Sequence, residues 1–169
     1  MNLYIALNDY NENNIFFYDL VKNNQINNSY YRRINYSIHN LTMNGVFIGF
    51  PLEGVRFEKY YDKYKCIYPM TAANEQCVLR IQQLEGQILT RVPIKKTPQY
   101  NVYEQMRMCW FKLPPTQPVS GCYFIVLKIQ GIWENETDYG VTFKFVQPTG
   151  FLGPTHCVGP LGEYNGQSH

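Results

Sequence analysis

The chain has 169 residues, of which 45% are hydrophobic and 17% charged. That balance is globular, argues against disorder, and fits one domain over 1–169 with a real core. The net charge of +2 gives no global basic field, so any nucleic-acid contact must rest on a local stripe.

Aromatics reach 16%, with 15 Tyr and 10 Phe. These residues favour strands, and so many rings imply that some face a partner. In chain order, residues 3–7 (LYIAL) and 15–21 (IFFYDLV) read as short apolar strands joined by an Asn-rich link. After a second Asn-rich link at 23–28, residues 29–38 (SYYRRINYSI) are strand-like but mixed in chemistry. Tyr31, Arg33 and Asn35 share one face; Tyr30, Arg32, Ile34 and Tyr36 share the other. Neither is a clean core face, which makes this the first candidate contact surface.

Residues 41–50 (LTMNGVFIGF) read as one apolar strand ended by Pro51 and Gly54. Residues 55–68 (VRFEKYYDKYKCIY) interleave aromatic and basic side chains more densely than any other stretch, and form the second candidate surface. A helix is predicted from Thr71 to about Leu89, with Thr71 as N-cap and Cys77, Val78, Ile81, Leu84 and Ile88 as its apolar stripe. Gly86 weakens its last turn and Pro93 forbids continuation. Residues 90–120 are a Pro-punctuated connector enclosing one or two helical turns within Val102–Phe111, and they carry Arg107 and Lys112.

The closing stretch, Gly121 to Val146, predicts two long strands around the short polar loop Glu134–Asp138. Tyr123, Ile125, Leu127, Ile129 and Trp133 share one parity, which puts Trp133 in the core unless a bulge at Gly131 turns it outward. The opposite parity, with Phe124, Lys128, Gln130, Thr142 and Lys144, is the better one to touch a ligand. From about Gln147 the tail is Gly/Pro-rich and irregular. The element order suits a mainly β fold: an OB-fold-like Greek-key barrel with one helix between strands 3 and 4, or a β-sandwich with one helix.

Catalytic and metal chemistry find little material. The five cysteines are widely spaced with no CxxC, so reduced thiols are expected, with no metal and no cofactor. His39, His156 and His169 lie far apart, and His156-Cys157 reads as incidental. No GxSxG, HExxH, Walker loop or GxGxxG occurs, and Glu134, Glu136 and Asp138 read as a solvated turn. The expectation is a protein that is not an enzyme. The N-terminus lacks a basic n-region, and Lys128 and Gln130 interrupt the longest apolar run. Sequons at Asn27, Asn35, Asn40 and Asn135 are then chance matches, and an intracellular protein without membrane contact is expected.

Interleaved cations and rings are what single-stranded nucleic acid requires: cations track phosphates while rings stack bases. The candidate stacking rings are Tyr30, Tyr31, Tyr36, Tyr60, Tyr61 and Trp110. The candidate phosphate contacts are Arg32, Arg33, Lys59, Lys63, Lys65, Arg107, Lys112, Lys128 and Lys144. The bland alternative is that the rings are core or ordinary surface and the cations merely solvated. A β-sandwich structural or minor capsid protein, with its aromatics in protein–protein interfaces, is the competing class.

The run Leu127 to Phe145, LKIQGIWENETDYGVTFKF, carries a Gly-Ile-Trp step, an acidic loop and a Gly-Val-Thr-Phe-Lys return. It resembles the C-terminal strand pair of single-stranded-DNA-binding proteins from large eukaryotic DNA viruses, a group similar to phage-type OB-fold single-strand binders. The resemblance covers about twenty residues near Gly131, Trp133, Gly140, Thr142 and Lys144; the rest matches in element order alone. It implies non-catalytic binding of single-stranded DNA, with RNA as the alternative, in viral replication, recombination or repair. It also implies a site in the host cytoplasm or nucleus and replication proteins as partners; the sequence leaves open whether the chain forms a homo-oligomer. One departure stands out: phage-type members end in an acidic tail, whereas this chain ends GPLGEYNGQSH.

Overall fold

The structure, a computed structural model, describes residues 3–116, 118 and 124–148. Its strands are β1 (Ile5–Ala6), β2 (Ile15–Lys22), β3 (Tyr30–Ile38), β4 (Leu41–Met43), β5 (Val46–Pro51), β6 (Arg56–Tyr60) and β7 (Lys63–Ile67). Helix α1 (Ala72–Thr90) follows, then β8 (Thr97–Gln99), α2 (Asn101–Arg107), β9 (Trp110–Leu113), β10 (Phe124–Glu134) and β11 (Asp138–Val146). The fold is mainly β with two helices. Its strands form an eight-stranded sheet and a separate three-stranded sheet, β6-β7-β9, which do not join into a closed barrel.

Strand β10 is the spine of the large sheet. Along one edge it pairs with β11 through Val126–Glu134. Along the other it pairs with β5 through Phe124–Ile129, then with β3 through Gly131–Glu134. The exchange falls on a bulge between Ile129 and Gly131, which shifts the side-chain alternation by one residue. Ile125, Leu127 and Ile129 point into the core, and after the bulge Ile132 does so instead of Trp133, which is half-exposed. The parity that would have buried Trp133 is thus reversed by the bulge at Gly131.

Gly45 completes the corner. Its φ of +126° lies in the region side chains avoid, and a Cβ there would meet the Ile129 carbonyl at 2.7 Å. The stretch 41–50 is therefore two strands rather than one, turned at Asn44-Gly45. A second unforeseen turn at Tyr61-Asp62 folds 56–67 into the β6–β7 hairpin. These turns split 41–50 and 55–68 into two strands each, so that seven strands precede α1, more than the three of the OB-type order, and α2 adds a second helix.

The two sheets and α1 enclose one main core. Thr71 caps α1 by accepting the Asn74 N–H at 3.2 Å, and Val78, Ile81, Leu84 and Ile88 face inward. Glu85 is also fully buried; its carboxylate accepts the Val102 and Tyr103 N–H groups at 3.0 Å each and so caps α2. Burial pushes the Glu85 carboxyl above the ordinary range despite those hydrogen bonds. Phe111 of the small sheet stacks on Phe145 of the large one, with ring centroids 4.0 Å apart. Cys122, Tyr123, Cys157 and most of the tail lie outside the described residues.

Two outcomes follow. Gly45→Ala should lower the free energy of unfolding by about 1–3 kcal/mol, the usual cost of a disfavoured backbone region, read from urea midpoints. For Glu85 the folded state holds its proton more tightly than the unfolded state. Its contribution is therefore complete below the ordinary carboxylate pKa and is lost as pH rises through the raised value. Glu85→Gln should flatten the decline in stability that sets in as pH rises above the ordinary carboxylate pKa, measured against the wild-type chain.

Candidate nucleic-acid interface

The β6–β7–β9 register decides which side chains share a face. Glu58, Lys65 and Lys112 lie in one cross-strand row; Arg56, Ile67 and Trp110 form the next, and Tyr60 pairs with Lys63. All of these point away from the core. The alternate rows, Phe57–Cys66–Phe111 and Lys59–Tyr64–Leu113, point toward it, with Lys59 exposed at the end of its strand.

The outward face is a compact arrangement of rings and ammonium groups. Lys65 Nζ sits 4.1 Å from the Tyr60 ring centroid and 4.7 Å from that of Trp110. Lys112 Nζ lies 5.5 Å from the same Tyr60 ring. Tyr61 packs edge-on against Tyr60 at 4.8 Å and is 83% exposed at the hairpin tip. Its φ is +54°, an uncommon conformation for a bulky aromatic residue at a turn that Asn or Gly would fill more easily.

One ion pair lies on this face and two lie elsewhere. Arg56 is engaged by Glu58 at 3.1 Å, Arg107 by Glu104 at 3.1 Å, and Lys96 by Glu134 at 3.3 Å. Among the described residues, Lys63, Lys65 and Lys112 make no ion pair. Their positive charge therefore stays available to an anion. Gln105 of α2 donates to the Trp110 carbonyl at 2.7 Å, which fixes the start of β9 beside the short helix that carries Arg107.

Of the predicted contacts, Tyr60, Tyr61, Lys63, Lys65, Trp110 and Lys112 therefore come together. The β3 candidates do not join them, because β3 lies in the other sheet. Tyr31 and Arg33 lie on the face of that sheet turned away from the core, where Tyr31 stands opposite Trp133. Arg33 reaches Asn44 at 2.7 Å and lies over the Tyr18 ring. Arg32 donates to the Tyr18 carbonyl at 3.0 Å, and Tyr30 is exposed beside it.

Tyr36 is the clear correction: it is 1% exposed, and its hydroxyl accepts the Asn11 N–H at 2.9 Å. That makes it a core ring and not a stacking platform. Its β3 parity is shared with Ile34, and the chain between β1 and β2 lies over both. Lys128 and Lys144 are cross-strand neighbours in β10 and β11. Desolvation, then the charge of Lys144, holds the Lys128 ammonium below its ordinary pKa.

Among the described residues, no three His, Cys, Asp or Glu side chains converge as metal ligands. Burial pushes the Cys66 and Cys77 thiols up to about 12, so they stay protonated at neutral pH. No described helix is long and apolar enough to cross a membrane. No family model, curated protein or solved structure matches this chain.

The two kinds of tyrosine should separate in stability measurements. Tyr36→Ala should cost about 3–5 kcal/mol, as large-to-small core changes do. Tyr61→Ala should stay within about 0.5 kcal/mol. Chemical denaturation of both variants checks the assignment.

Proposed function

We propose that this chain binds single-stranded DNA without catalysis and with little sequence preference, through the outward face of the β6–β7–β9 sheet. The observation that carries this reading is the Lys65 ammonium held between the Tyr60 and Trp110 rings, with no acid pairing it. In the free protein an exposed cation–π contact is worth about 0.5–1 kcal/mol. A base stacked on one ring is worth about 1–3 kcal/mol, and a phosphate offers the lysine a stronger partner. Lys65 would then turn to the backbone and leave the rings to the bases. Tyr60, Tyr61 and Trp110 would act as stacking rings, and Lys63, Lys65 and Lys112 as phosphate contacts.

The strained, exposed Tyr61 supports the same reading, since its side chain is retained at a cost to the backbone. The resemblance of Leu127–Phe145 to viral single-strand binders extends the proposal to replication, recombination or repair of viral DNA, and to an OB-type barrel opened between its sheets. That stretch acts as scaffold in this account, because it builds the spine of the sheet opposite the proposed face.

A second reading, a structural protein acting through protein interfaces, draws on the β2–β3 ribbon. Phe16, Tyr18, Leu20, Val21 and Ile26 are all at least 40% exposed there. Sedimentation without DNA distinguishes it: self-association lost on Val21→Glu would favour this second reading.

Titrating labelled oligo-dT at two salt concentrations tests the first. Quenched tryptophan fluorescence and a steep salt slope are expected. Trp110→Ala and Tyr60→Ala should each weaken binding by about 1–3 kcal/mol, and Lys65→Ala should reduce the salt slope by about 0.7. Absence of binding at low salt would sink the proposal.

A further inference from the structure

Beside the β6–β7–β9 face lies an open groove of about 530 Å³, at the place where the two sheets fail to join. Two strands bound it. Among the described residues β9 pairs only with β7, and β11 is paired on its outer side by β8 through Asp138–Gly140 alone. Among the described residues neither has a ladder partner across the groove, so the gap is bounded by backbone edges as well as side chains.

The lining is unlike an ordinary surface cleft. Three lysines line it, Lys63, Lys112 and Lys144, and among the described residues no Asp or Glu does. Trp110 and Phe143 supply aromatic walls. The volume lies within the few hundred to about 1,000 Å³ usual for small-molecule sites, enough for a nucleotide. Lys63, Trp110 and Lys112 belong both to the groove and to the outward face, so the two are one continuous surface.

Lys144 continues the surface in the other direction. It pairs directly across the ladder with Lys128, whose ammonium lies 4.9 Å from the Phe47 ring. Neither lysine has an acidic partner among the described residues. Two like charges side by side, both unpaired, favour an anion between them.

We propose that the groove is a nucleotide subsite: one base of a bound single strand turns into it between Trp110 and Phe143. The backbone then passes round the open edge from Lys63 and Lys112 to Lys144 and Lys128. This rests on the single-strand reading above and adds a path, so that a bound strand bends round the edge of the molecule. Short strands occupy the outward face alone. Longer strands reach the groove and the lysine pair.

The test is the affinity of oligo-dT of about six and about twelve nucleotides, lengths within the range usual for one such site. Lys144→Glu and Phe143→Leu should each weaken the longer strand about tenfold and leave the shorter one within twofold. Tyr60→Ala should weaken both. Lys144→Gln, which adds no repulsion, should lower the salt slope for the longer strand by about 0.7 and leave the shorter strand's slope alone. If the wild-type chain binds both lengths and the Lys144 variants lose nothing on the longer one, or lose equally on both, the subsite is overturned while the outward face stands. A wild-type chain that binds neither length overturns both readings.

Discussion

The structure depends on a change of partner along β10. This strand has eleven residues, and no single neighbour follows one of its edges from end to end. It leaves β5 after Ile129 and meets β3 at Gly131, and the bulge between them absorbs the mismatch. Gly45 lets the β4–β5 turn press against the Ile129 carbonyl at that point. Tyr31 and the Arg32 carbonyl press on Gly131 from the other side, leaving no room for a Cβ. Because the bulge reverses the alternation, Ile132 fills the core and Trp133 lies over Gly140 on the outer face.

From that corner the rest follows. β5 and the first half of β10 supply Ile48, Phe50, Ile125 and Leu127 to the same core that Phe111 and Leu113 of the small sheet enter, with Phe111 stacked on Phe145 of β11. Once this inner face of the small sheet is committed to the core, its other face must look outward. That outward face carries Tyr60, Lys65, Trp110 and Lys112, and the paired acid Glu58. The same geometry leaves the β9 and β11 edges apart, with lysines on both sides. Core packing and the proposed surface are thus two faces of one short sheet.

Much of this was legible in the residues. The α1 cap and stripe, the closing strand pair and the dense ring-and-cation stretch at 56–65 each carry strong local signals, and the structure has them in those places. Asn44-Gly45 is a hairpin signal too, but it is flanked by apolar residues on both sides and reads as strand interior. Tyr61-Asp62 is a weak turn signal, because Asp62 suits a turn but an aromatic residue occupies the left-handed position. The burial of Tyr36 depends on the chain at Asn11 and Asn14 reaching its hydroxyl, a contact across more than twenty residues that no local pattern encodes. Glu85 was hidden for the same reason, because its partners lie on α2. The groove joins β9 to β11 through the third dimension, so Phe143 and Gln105 had no reason to be singled out.

The central claim is that the β6–β7–β9 face contacts the strand. Ultraviolet crosslinking of bound oligo-dT, followed by mass spectrometry of the crosslinked peptides, tests it most directly. The account predicts adducts at Tyr60, Tyr61 and Trp110. Adducts confined to the β2–β3 ribbon, at Phe16, Tyr18 or Tyr30, would contradict it.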